Sequence, residues 1–145
     1  MAHDDENPTP RVTPYLLYED VAGALAWLSE VFGFEERLRL TDERGVVTHA
    51  EMKIADGLVM MGDPGDAYRS PKRLGARTAL VHVYVEDVDA HYERAKAAGA
   101  EIIAEPIDQP YGDRRYDAYD LEGQFWSFAQ HIRDVPAAEF GAEES

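Results

Sequence analysis

Apolar positions in this chain follow two kinds of spacing, and the same order of spacings occurs twice. In the first half Val21, Leu25, Leu28 and Phe32 recur three or four residues apart, which puts them on one stripe of a helix. In the second half Val88, Tyr92 and Ala95 do the same. Asp20 and Asp87 stand where an N-cap accepts hydrogen bonds from the free N–H groups of a first turn. Gly33 and Gly99 stand where a left-handed residue ends a helix. Ahead of the stripes lie "VTPYLLY" and "TALVHVYV", rich in the β-branched and aromatic residues of strands. Behind the first come "EERLRL", "VVTHAEMKI" and "GLVMMG"; behind the second come "EIIAEP", "RRYDAYD" and "QFWSFAQHI". The breaks between them, "TDERG", "ADG", "IDQPYGD" and "LEG", have turn chemistry.

Setting Asp20 against Asp87 therefore aligns two copies of strand, helix, strand, strand, strand. The repeat is too long, and two copies too few, for a solenoid. The expectation is an α+β domain built of two βαβββ modules, residues 12–62 and 78–133, joined by a linker over 63–77 that either crosses over or forms a lid. Residues 1–11 and 134–145 read as acidic, solvated tails.

Composition narrows the function. The 145 residues make one ordinary domain. A formal charge of −15 opposes nucleic-acid binding and favours cationic ligands. No apolar run suits a membrane span, and the N-terminus lacks the basic start and apolar core of a signal peptide. With no cysteine there is no disulfide, thiolate nucleophile or Cys-based zinc site, and a cytoplasmic location is expected.

The stretches "YLLYEDVAGALAWLSEVFGFE", "VHVYVEDVDAHYERAKAAGAE" and "DLEGQFWSF" resemble the vicinal oxygen chelate superfamily, which takes in glyoxalases, bleomycin-resistance proteins and dioxygenases. "THAEMKI", "GLVMMGD" and "YGDRRYDAYDLEGQFWSFAQH" look most like its PhnB-like branch. The resemblance spans about residues 12–133. It implies two modules curled into one cup-shaped mixed sheet around a ligand, and a homodimer, with modules either exchanged or side by side. It also implies four metal-ligand positions, which fall here on Thr13, Glu51, Leu80 and Ser127. Only Glu51 supplies a suitable donor, whereas three protein ligands plus water is the usual minimum. The usual metal centre is therefore expected to be absent, and no cofactor is predicted. A shifted divalent-metal set of His49, Glu51 and His82 is the alternative, since strand alternation puts His49 and Glu51 on one face.

Without a metal, the cup is expected to offer Met60 as an adaptable apolar contact and Phe125 as an inward aromatic. Trp126 and Phe128 would point to the helix layer. Arg115 or its neighbour Arg114 would grip an anion or pair with Asp113 or Asp117. Tyr111, in "QPYGD", would close over the mouth. The expected function is a small-molecule binder in the drug-sequestering style, with His49, Glu51, His82 and Ser127 also lining the site. The alternatives are an enzyme with Glu51 as base and His49 or His82 as acid, or an accessory domain. His3, His91 and His131 read as structural.

Overall fold

A computed structural model describes residues 10–145; His3 and most of the expected N-terminal tail lie outside the described residues. The first module comprises β1 (Tyr15–Leu17), α1 (Val21–Phe32), β2 (Glu35–Thr41), β3 (Val47–Ile54) and β4 (Gly57–Gly62). A short helix, α2 (Pro71–Leu74), interrupts the linker. The second module comprises β5 (Leu80–Tyr84), α3 (Val88–Ala97), β6 (Glu101–Asp108), β7 (Asp113–Tyr119) and β8 (Phe125–His131). The sheets run β1-β4-β3-β2 and β5-β8-β7-β6, so the two halves share one topology. In each, the first strand pairs in parallel with the last, and the helix makes the crossover. Among the described residues no helix is long and apolar enough to cross a membrane.

The helix signals act as their chemistry requires. The Asp20 and Asp87 side chains accept from the backbone N–H of Gly23 and Ala90. Gly33 ends α1 at φ 78°, a conformation that costs a residue with a Cβ. In α3 the cap is Ala98, one residue before the left-handed Gly99. Every expected stripe residue of both helices is buried.

One apolar cluster serves both modules. Phe32 at the end of α1 meets Trp126 edge-on at 5.9 Å and Phe128 at 4.7 Å. Phe34 adds a contact to Trp126 at 5.3 Å. Polar contacts lock the same seam. The buried Asp120 accepts from the Tyr18 hydroxyl at 2.6 Å and from Trp126 Nε1 at 3.0 Å. Glu122 accepts from the backbone N–H of Glu19 and Asp20, across the module boundary at the start of α1.

The linker is tied down at several points rather than hanging free. Tyr68 donates to Leu17 O, Arg73 pairs with Glu19, Lys72 N donates to Glu122 O, and Arg77 Nε donates to Gly123 O. It joins the ends of both modules as a strap. At the far end, residues Ala137–Phe140 form one 3-10 turn, and the Phe140 ring lies 6.2 Å from that of Tyr111.

His91, expected to be structural and without a partner, has partners from both modules. Its Nδ1 lies 2.5 Å from the Tyr116 hydroxyl and its Nε2 lies 2.9 Å from Phe32 O, so it wedges between the modules. Burial pushes its pKa below the ordinary value. Unfolding must then take up a proton as pH falls. We expect stability to be full above pH 6.5, the ordinary histidine value, and to decline as pH drops toward the lowered folded value. Urea denaturation between pH 7.5 and 5 should show this decline, and His91→Gln should flatten it.

Candidate functional site

Each sheet has one face covered by its helix and one bare face. Strand registers identify the bare one. In the first sheet the cross-strand rows are Tyr15–Met60–Glu51–Leu38 and Leu17–Gly62–His49–Leu40. In the second they are Leu80–Phe125–Tyr119–Glu101, His82–Ser127–Asp117–Ala104 and Tyr84–Ala129–Arg115–Ile107. The alternate positions, among them Ala50, Met52, Met61, Tyr116, Trp126 and Phe128, are buried in the core. Alternation thus places Phe125 on the bare face, the expected interior of the cup, and Trp126 toward the helices.

On the first face the side chains form a continuous network. Tyr15 Oη lies 2.9 Å from His49 Nδ1, and His49 Nε2 lies 3.3 Å from Glu51 Oε2. Glu51 Oε1 accepts from Arg37 Nη1 at 3.0 Å. Glu51 is 6% exposed, and its two oxygens are both engaged. A carboxylate with both oxygens engaged in this way orients its neighbours. Tyr15 was not among the residues singled out from the sequence. Its signal was available only as a tyrosine two residues from Thr13 in a strand of alternating exposure.

On the second face Arg115 Nε pairs with Asp117 at 3.0 Å. The hydrogen bond that Arg115 donates to Asp117, with a further contribution from Tyr111, raises the Arg115 pKa. Arg114 points the other way, to Asp89 and Asp108, both at 2.9 Å. His82 packs edge-on against Tyr84 at 5.0 Å. Ser127 is fully buried in the single chain, and its Oγ has no hydrogen-bond partner among the described residues. At the end of β8, His131 bridges Asp113 and Asp134, at 2.9 and 2.7 Å, and its pKa is raised mainly by the Asp113 hydrogen bond.

The donors do not fit a divalent metal within one chain. Internal symmetry sets Tyr15 against His82 and Met60 against Ser127. Glu51 then corresponds to Asp117, on β7, the strand beside the β8 that carries Ser127. The single matching carboxylate therefore stands on β3, not on β4, whose Met60 is the counterpart of Ser127. It is also neutralised by Arg37. Among the described residues no three His, Asp or Glu side chains gather as a metal-binding group, so His82 does not join His49 and Glu51 within the chain.

The bare faces stay open. Tyr15 is 50% exposed, Leu17 39%, Leu80 45% and Tyr84 59%. A cleft of about 840 Å³ lies between the end of α1, the β3–β4 turn and the start of α3; Tyr84, His91 and Arg94 line it, but not His49, Glu51 or Ser127.

Two helix-backed sheets of identical topology, each with a bare, partly apolar face, define a paired βαβββ domain. The chain belongs to the glyoxalase/bleomycin resistance protein/dioxygenase superfamily, whose family model matches residues 11–128. An uncharacterized protein of Mycobacterium bovis is 33% identical over 144 residues, covering 96% of this chain and 95% of its own. The crystal structure of TioX from Micromonospora sp. ML1 is similar with a TM-score of 0.69 and 36% identity, covering 85% of this chain and 99% of that one. The fold is also that of the fosfomycin resistance protein FosX from Listeria monocytogenes, solved with Mn(II) and a dihydroxypropylphosphonic acid. Its TM-score is 0.62 at 19% identity, covering 90% of this chain and 94% of FosX.

Proposed function

We propose that this protein binds a small amphipathic or cationic molecule in a cup whose walls are the two bare faces, completed by a second copy of the chain, without a divalent-metal centre. The observation that carries the reading is the exposure of Tyr15, Leu17, Leu80 and Tyr84 on rows that no helix covers. Exposed apolar side chains clustered on a strand face of this kind mark a binding or association surface. A homodimer supplies a facing wall and leaves the rows at its centre for a guest.

The chemistry of the rows sets the class of guest. Arg37 and Arg115 are each held by a carboxylate, so neither offers an uncommitted guanidinium to a phosphate or phosphonate. The net charge of −15 disfavours anions, nucleic acid included, and draws cations. Met60 and Phe125 give an apolar floor, His49 and His82 give polar contacts, and sequestration follows from a site that holds its ligand without a reactive centre. Within the family, the stretch "YGDRRYDAYDLEGQFWSFAQH" supports the PhnB-like branch. A cysteine-free chain suits the cytoplasm.

Calorimetric titration with a panel of cationic amphipathic drugs tests this. Tryptophan fluorescence is a poor reporter, because Trp126 is fully buried on the helix side of its sheet and Trp27 lies on α1, its ring against Phe32. We expect micromolar binding by at least one member and no rise in melting temperature with Mn²⁺, Zn²⁺ or Fe²⁺, since a ligand of the native state must stabilise it. No heat from any member, or a saturable metal-dependent rise, contradicts the proposal. Tyr111, with its ring against Phe140, should act as a mouth residue: Tyr111→Ala should weaken binding about tenfold while moving the melting temperature by only a degree or two.

A further inference from the structure

The network on the first face has a direction, which follows from what each group can donate. Glu51 is buried beside Arg37, and an ionised carboxylate only accepts hydrogen bonds. In the 3.3 Å contact between Glu51 and His49 Nε2 the imidazole is therefore the donor. A neutral imidazole carries one N–H, so Nδ1 is left as an acceptor. Tyr15 Oη lies 2.9 Å from that nitrogen, and the phenol must donate to it. Its only hydrogen is thus committed to the protein, while the lone pairs of its oxygen remain at a residue that is 50% exposed. A hydroxyl that donates in a chain of hydrogen bonds becomes a better acceptor.

The backbone makes room for this arrangement. Gly62 is the cross-strand neighbour of both Leu17 and His49, and a Cβ on it would lie 2.5 Å from Tyr15 Oη. Any larger residue there would push the phenol off the imidazole.

We propose that Tyr15 is a specificity-determining ligand contact acting as a hydrogen-bond acceptor, so that the cup selects guests presenting an N–H or O–H over isosteres methylated at that atom. Arg37, Glu51, His49 and Gly62 are positioning residues that fix its polarity. This deepens the small-molecule reading above and rests on it. It also gives an ammonium-bearing or phenolic guest a reason to bind beyond the net charge.

The test has two arms. Long-range ¹H–¹⁵N spectra of ¹⁵N-histidine-labelled protein at pH 8 should show His49 as the Nε2–H tautomer. Titration with 2-naphthol and with 2-methoxynaphthalene, followed by NMR, should favour the naphthol by roughly three- to tenfold, the range of one net hydrogen bond. Tyr15→Phe should remove that preference while still binding both compounds, and Gly62→Ala should reduce it. An Nδ1–H tautomer at pH 8, or a preference unchanged in Tyr15→Phe, overturns the assignment of Tyr15. Failure of both naphthalenes in a protein that binds the cationic drugs overturns the acceptor role of Tyr15, failure of naphthalenes and drugs alike contradicts the small-molecule reading itself, and the tautomer spectrum separates either from an error in the polarity of the network.

Discussion

Trp126→Ala is expected to destabilise the protein by about 3–5 kcal/mol, the range for deleting a large buried aromatic. Trp126 is fully buried, and its ring meets Phe32 and Phe34 from the other module. Its Nε1 also donates to Asp120, which binds Tyr18 through the same oxygen. The substitution therefore opens a cavity at the seam and strips one donor from a buried carboxylate, and the two costs share a neighbourhood and reinforce each other. A chain of this size should melt roughly 10 °C lower. Trp126→Phe keeps most of the ring packing and loses the hydrogen bond, so it should recover more than half of the difference. Paired urea and thermal melts measure both; a drop under about 1 kcal/mol for the alanine variant would mean that the seam relaxes freely, contrary to the packing described.

Leu80→Glu is expected to leave the chain folded and to convert the proposed dimer into monomers. Leu80 is 45% exposed and heads the row that continues through Phe125 and Tyr119. In a free chain a glutamate there sits in water at little cost. Across a two-fold interface the change occurs twice, and an unpaired carboxylate taken out of water costs several kcal/mol. We expect dimer dissociation to become at least about a hundredfold easier, on roughly 3 kcal/mol of lost association free energy. Drug binding should fall with it, because one wall of each cup is withdrawn. Leu74, in α2 and 64% exposed, lies off both faces, so Leu74→Glu is the control expected to change neither. Sedimentation equilibrium reads the result; an unaltered dimer in Leu80→Glu would place the interface elsewhere.

The fold was largely legible because its signals are local. Capping residues, apolar stripes and strand alternation each need only a few neighbouring residues, and two copies of one order of elements reinforced each other. Alternation even separated Phe125 from Trp126 and Phe128 correctly. The candidate site was legible only in part, because its contacts join residues far apart in sequence. His49 and Glu51 were placed on one face, but not the order β1-β4-β3-β2, which puts Met60 between Tyr15 and Glu51 and makes Tyr15 the outer end of the network. The choice of Asp117 by Arg115, and of Asp89 and Asp108 by Arg114, depends on which side of β7 each emerges. His91 joins Phe32 across the two modules, and Glu122 caps the entry to α1 from the other half of the chain. Neither has a signature within its own stretch of sequence.

Native mass spectrometry of untagged protein, titrated with the tightest-binding cationic amphiphile, most directly tests whether two copies build an organic-guest cup free of metal. A species of twice the chain mass that takes up one or two drug molecules and retains no stoichiometric divalent ion is the predicted spectrum. A monomer that binds the drug unaided, or a dimer carrying one tightly held metal per chain, would contradict it.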